Sequence, residues 1–197
     1  MTFGVIYEKF GLMVPHGRLG ECISELEDAL RSMQETPYHA VLDRDFHHLV
    51  DPAAQYLARV HGRVSSRIKV KALYFEMNDF TINPNRWFFS GFAYLKTGDI
   101  WDLDWLADWD DEDPEEFTLT GMERVQEAFA RLYVIRDGKG PPLTVRVAGE
   151  LAEHLVLARY MELVAEAHEK AKTIRPELGG VPVLATAHDW EVVHVTE

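Results

Sequence analysis

The chain has 197 residues, 47% hydrophobic and 27% charged, which excludes a disordered or fibrous polymer and is enough to bury a core without disulfides or metals. Its 33 acidic and 20 basic side chains give a formal net charge of -13, which repels phosphate backbones and argues against sequence-general nucleic-acid binding. The single cysteine, Cys22, allows no internal disulfide, and Glu8 and Lys9 interrupt the start where a secretion signal needs an apolar run. No apolar stretch reaches the roughly eighteen residues of a membrane helix, so a soluble cytoplasmic protein is expected.

Thr2 to Phe10 alternates Phe3, Val5 and Tyr7 with smaller or polar neighbours, the pattern of a half-buried strand. After Pro15 and Gly17, the residues Leu19, Cys22, Ile23, Leu26, Leu30 and Met33 recur three or four apart, which predicts an amphipathic helix over 18–35 ending before Pro37. Asp51 followed by Pro52 reads as an N-cap and first helical position, opening a helix that runs to about Val64. Two β-rich runs, Ile68 to Met77 and Arg86 to Leu95, flank a turn-forming stretch with Asn78, Asp79, Asn83, Pro84 and Asn85, and predict a long antiparallel hairpin.

Thr120 and Glu123 have the spacing of a capping box, with Met122, Val125, Phe129 and Leu132 as the inward stripe of a helix over 121–133. Gly138, Gly140, Pro141 and Pro142 mark a loop. Val147 to Lys172 then has helix-forming composition, with Leu151, Leu155, Met161 and Val164 inward. Val183 to Val195 suits a final strand, interrupted by a turn from Thr186 to Asp189. No repeat, low-complexity tract or linker is evident, and helices and strands are grouped rather than alternating. The expected fold is one α+β domain, 1–197, with an antiparallel sheet and several packed helices.

Asp99 to Glu116 stands out. It holds ten carboxylates, namely Asp99, Asp102, Asp104, Asp108, Asp110, Asp111, Glu112, Asp113, Glu115 and Glu116, and no lysine or arginine. Trp101, Trp105 and Trp109 recur every fourth residue, so on a helix they would form one stripe. One expectation is a core-facing helix with a solvated acidic side. The other is a recognition element in which tryptophans anchor and carboxylates steer a basic partner. An acidic metal loop is disfavoured, because Asp102 and Asp104 give only D-x-D, without the glycine and glutamate spacing of an EF-hand.

Nine histidines show no H-E-x-x-H pattern. Glu150 and His154 share a helix face at four-residue spacing, which reads as a surface pair. The adjacent His47 and His48 diverge too far to share one ion. Cys22 lies on an apolar helix face and reads as a buried, inert thiol. No hydrolase elbow or phosphate loop is present. His188 with Asp189 could transfer a proton in a cleft, although a turn in which Asp189 bonds local backbone is the favoured reading; Glu76, Asn78 and Asp79 share that ambiguity.

The leading expectation is an acidic protein-binding module, in its most concrete form an immunity or inhibitor protein covering a basic site on a partner. Trp101, Asp102, Asp104, Trp105, Asp108, Trp109, Asp110, Asp111 and Asp113 would form the contact surface. No cofactor, metal or catalytic residue is expected on this reading. The alternatives are a metal-dependent hydrolase using some of Asp102, Asp104, His188 and Asp189, and a structural homodimer.

Overall fold

A computed structural model describes residues 3–133 and 140–197. In chain order its elements are α1 (Phe3–Met13), α2 (Leu19–Arg31), α3 (Val50–Ser65), β1 (Ala72–Met77), β2 (Trp87–Tyr94), β3 (Asp111–Glu112), β4 (Phe117–Leu119), α4 (Glu123–Tyr133), α5 (Leu143–Ile174), β5 (Val183–Ala187) and β6 (His194–Thr196). Short 3-10 turns occupy Pro37–Val41, His47–Leu49, Asp104–Ala107 and Pro176–Gly180. The expected loop over Gly138 to Pro142 lies partly outside the described residues.

The fold is α+β, as the grouping of elements implies. Its sheet runs in the order β3-β2-β1-β5-β6, with β4 also paired to β2. β1 and β2 form the expected antiparallel pair, Phe75 opposite Gly91 and Glu76 opposite Ser90. The sheet is mixed rather than purely antiparallel, because β5 joins β1 in parallel, Glu76 beside Thr186. A parallel partner needs a crossover, and the 32-residue α5 supplies it.

Alternation along β1, β2 and β5 sends Leu73, Phe75, Met77, Trp87, Phe89, Val183 and Ala185 to one face, where all are at most 1% exposed. That face packs against α3 and α5. The Tyr160 hydroxyl of α5 donates to the Phe75 carbonyl at 2.9 Å, and a Cβ on Gly91 would approach Val60 and Phe75 to 2.9 Å. Leu151, Leu155, Met161 and Val164 are buried as their spacing predicts, and so is Cys22, whose thiol burial pushes up to about 12.

The opposite face carries Tyr74, Glu76, Phe92, Tyr94, Leu184 and Thr186. Part of it is covered by a second apolar cluster of Ala72, Tyr74, Tyr94, Leu106, Leu184 and Val193. The connection from β2 to β3 is held there by the Tyr94 hydroxyl, which donates to the Leu106 carbonyl at 2.7 Å.

Several local expectations are corrected. Residues 3–13 form a helix, not a strand. Ile6, Phe10 and Met13 lie three or four apart and are all buried, so the helical period outweighs the alternation. α3 starts at Val50 out of a 3-10 turn, which places Asp51 in the first helical turn rather than at the N-cap; there its carboxylate pairs with Lys170 and faces the positive end of the helix. Thr186 is in strand β5, and only His188 and Asp189 form the turn. At α4 the Glu123 carboxylate accepts the Gly121 N–H at 2.8 Å, while the Thr120 hydroxyl lies 3.4 Å from His48. Gly121 has φ +99°, and a Cβ there would meet the His48 ring at 2.7 Å, so both backbone and space require glycine.

Candidate functional site: an acidic cleft beside the tryptophan segment

Residues 99–116 do not form the expected α-helix. They form a bent connection with one 3-10 turn, Asp104–Ala107, followed by the edge strands. The cause is the abundance of aspartate, whose short side chain bonds nearby backbone and competes with helical hydrogen bonds. Asp99 accepts from the Trp101 N–H at 3.0 Å, Asp102 from Asp104 at 3.3 Å, and Asp113 from Glu115 at 2.9 Å. Asp110 accepts from Leu95 at 2.7 Å.

The tryptophans therefore diverge rather than line up. Trp105 is half-buried, edge-on to Tyr94 at 4.9 Å, with its indole N–H donating to the Asp99 carbonyl at 3.0 Å. A Cβ on Gly98 would come within 2.3 Å of that ring, which explains the glycine. Trp101 and Trp109 stay 63% and 47% exposed, with Trp109 against Phe92 at 5.0 Å.

The carboxylates divide into two groups. The later ones meet an arginine ladder on α3 and the turn that follows it, where Arg59, Arg63 and Arg67 recur at four-residue spacing. Arg63 donates to Asp113 at 3.1 and 3.2 Å and to Glu115 at 2.6 Å, Arg59 pairs with Glu115 at 2.9 Å, and Arg67 with Asp111 at 2.6 Å. The Arg67 guanidinium holds the Asp111 carboxyl below its ordinary range. Arg86 pairs with Glu116 at 2.7 Å. Asp113 is 5% exposed, so of the nine residues expected at a contact surface it is internal, and Asp111 is engaged. The earlier group, Asp102, Asp104, Asp108 and Asp110, is exposed.

Beside this outward part lies a cleft of about 510 Å³, within the range of small-ligand and side-chain pockets. Its floor is the open sheet face, Tyr74, Glu76, Phe92 and Thr186. One wall runs from Leu103 to Trp109, and the other from Ala187 to Glu191. Glu76, Asp104, Asp189 and Glu191 bring four carboxylates to the lining, and no lysine or arginine takes part.

His188 donates from Nδ1 to Glu76 at 3.1 Å, and its Nε2 lies 3.7 Å from Asp189. The Glu76 hydrogen bond, and then its charge and that of Asp189, hold the imidazole above its ordinary value against some desolvation. Asp189 has φ +63°, the left-handed conformation that aspartate tolerates better than most residues. Tyr74 is pushed well above the usual phenol range by burial and by the Glu76 carboxylate. Thr186 is 1% exposed, and its hydroxyl has no hydrogen-bond partner in the protein.

The cleft gathers Asp104, His188 and Asp189 of the hydrolase alternative, but not Asp102. Those donors do not lie at metal-coordinating spacing. Among the described residues that spacing occurs at His47, Glu162 and Glu166, whose donor atoms are within 4.8 Å of one another. These three are already partnered, His47 by Glu166 at 3.0 Å and Glu162 by Arg159 at 2.8 Å. Glu150 and His154 are not a surface pair. His154 is 2% exposed and its Nδ1–H donates to the Glu150 carbonyl at 2.7 Å.

Tyr74, Phe92 and the Thr186 hydroxyl were invisible as site residues in the sequence, because the sheet alone brings them together. The ladder Arg59, Arg63 and Arg67 was readable from its four-residue spacing. Comparison with protein-family models, with curated proteins and with solved structures yields no match for this chain.

Proposed function

We propose that the protein is an acidic binding module that docks against a basic surface of another protein through residues 99–110. The observation carrying this reading is the pair of tryptophan rings, Trp101 and Trp109, left 63% and 47% exposed among the exposed carboxylates Asp102, Asp104 and Asp108. Exposed tryptophan is costly in water and is a frequent hot spot at interfaces. The carboxylates supply long-range steering toward a cationic partner. An inhibitor or immunity protein that covers a phosphate-binding surface of its partner is the concrete form this takes, acting in the reducing compartment that suits the free Cys22 thiol.

The test is binding kinetics with the partner captured from the native cell. Association should slow as salt rises, and Asp104→Asn with Asp108→Asn should slow it further and flatten the salt dependence. Trp109→Ala should act mainly on dissociation, by about thirtyfold or more if the ring is a hot spot. Association that is insensitive to salt in both parent and double variant would reject the reading.

A further inference from the structure

We propose that the cleft beside the tryptophan segment is a receptor for a guanidinium group, presented by an arginine side chain of the basic partner. The inference rests on the proposed binding function and gives it a point of specificity. Four carboxylates converge on one concavity with no lysine or arginine among its lining residues, so a cation is the complementary guest. Even with His188 charged between Glu76 and Asp189, the balance of the cleft is negative.

Shape and donor count select guanidinium over ammonium. Phe92 on the floor and Trp109 on the wall pack against each other with ring centroids 5.0 Å apart, and a ring face turned to the cleft is a surface on which a planar cation can stack. The acceptors lie in different directions: Glu76 and Thr186 are neighbours in register on the floor, and Asp104 and Asp189 sit on opposite walls. A guanidinium has five N–H donors in a rigid fork to reach such a set, whereas an ammonium is a compact point charge with three.

The independent observation is Thr186. A buried hydroxyl without a partner costs free energy, and such groups are uncommon unless something outside the chain satisfies them. Thr186 lines the cleft beside its register neighbour Glu76, and its hydroxyl oxygen can accept an N–H from a guanidinium that settles onto the floor.

The experiment is an NMR titration of the full chain with N-acetyl-arginine amide, free arginine, N-acetyl-lysine amide and N-acetyl-citrulline amide. The arginine amide should shift resonances of Glu76, Thr186 and the Trp109 indole N–H in a saturable way. Citrulline, its neutral isostere, should not, and the lysine compound should bind more weakly. Stronger binding of free arginine than of its blocked amide would point to a metabolite and overturn the side-chain assignment.

Thr186→Val keeps the shape of the residue and removes the hydroxyl. It should leave the melting temperature of the free protein unchanged or raised, while weakening the arginine amide by about fivefold. Equal shifts with the lysine or citrulline compound, or unaltered arginine binding in Thr186→Val, would overturn the proposal. The outcomes separate from those of the parent reading: a basic partner that docks while arginine amide fails to bind rejects only the cleft assignment. Arginine binding without any docking partner rejects only the docking function.

Discussion

Glu153 on α5 offers the sharpest test of how this core handles charge. The residue is partly buried, and desolvation, followed by repulsion from Glu150 and Asp79, pushes its carboxyl up to about 7 from an ordinary 4.5. At about 1.4 kcal/mol for each tenfold change in proton affinity, keeping this group ionised costs the fold on the order of 3 kcal/mol. The unfolded chain releases the proton near 4.5 and the folded chain only near 7. Between those values the folded state therefore binds more protons, so stability falls as pH rises and the loss is complete above the folded value.

Glu153→Gln removes the titration and nearly preserves shape. Chemical unfolding should show the variant close to the parent near pH 4.5, increasingly more stable through pH 6, and ahead by roughly 2 to 3 kcal/mol at pH 8. Tyr38, whose hydroxyl burial and Glu153 together push up to about 12, should at the same time titrate at a lower pH in the variant. A variant that is less stable than the parent at pH 8, or offset by the same amount at every pH, would refute the reasoning.

Two further perturbations address the frame of the molecule. Asp113→Ala removes a buried carboxylate that accepts from Arg63 and from the Glu115 N–H, and should cost about 2 kcal/mol in urea unfolding, with Asp111→Ala costing less because that pair is more exposed. Equal costs for the two would show that burial of Asp113 does not matter. Leu155→Ala, at a position 0% exposed in the middle of α5, should lose about 2 to 5 kcal/mol in one cooperative transition, and a parent-like stability or two separate transitions would contradict a shared core.

Periodicity carried most of the helices. Leu19, Cys22, Ile23, Leu26 and Leu30 place α2 correctly because a single apolar face is enough to fix an amphipathic helix. α1 was obscured because its apolar residues satisfy both an alternating and a helical template over so short a span, and only packing decides between them. In the 99–116 stretch, W-x-x-x-W spacing reads as helical, yet aspartates that bond their own backbone override it. The cleft was the least legible feature. The sequence groups Asp104, His188 and Asp189 only as members of a hydrolase alternative and leaves Glu76 at a hairpin end, because their convergence depends on β5 lying parallel to β1, a long-range pairing with no local trace.

That pairing has a consequence for biosynthesis. Leu73 finds Val183 as its partner 110 residues later, so a nascent chain displays one side of β1 as an open hydrogen-bonding edge while everything up to the end of α5 is being made. Strands left waiting in this way can recruit a neighbouring chain before their own partner arrives. The vulnerable interval closes only when β5 emerges, and slow translation or premature termination between Leu143 and Val183 should therefore yield aggregates rather than a usable fragment.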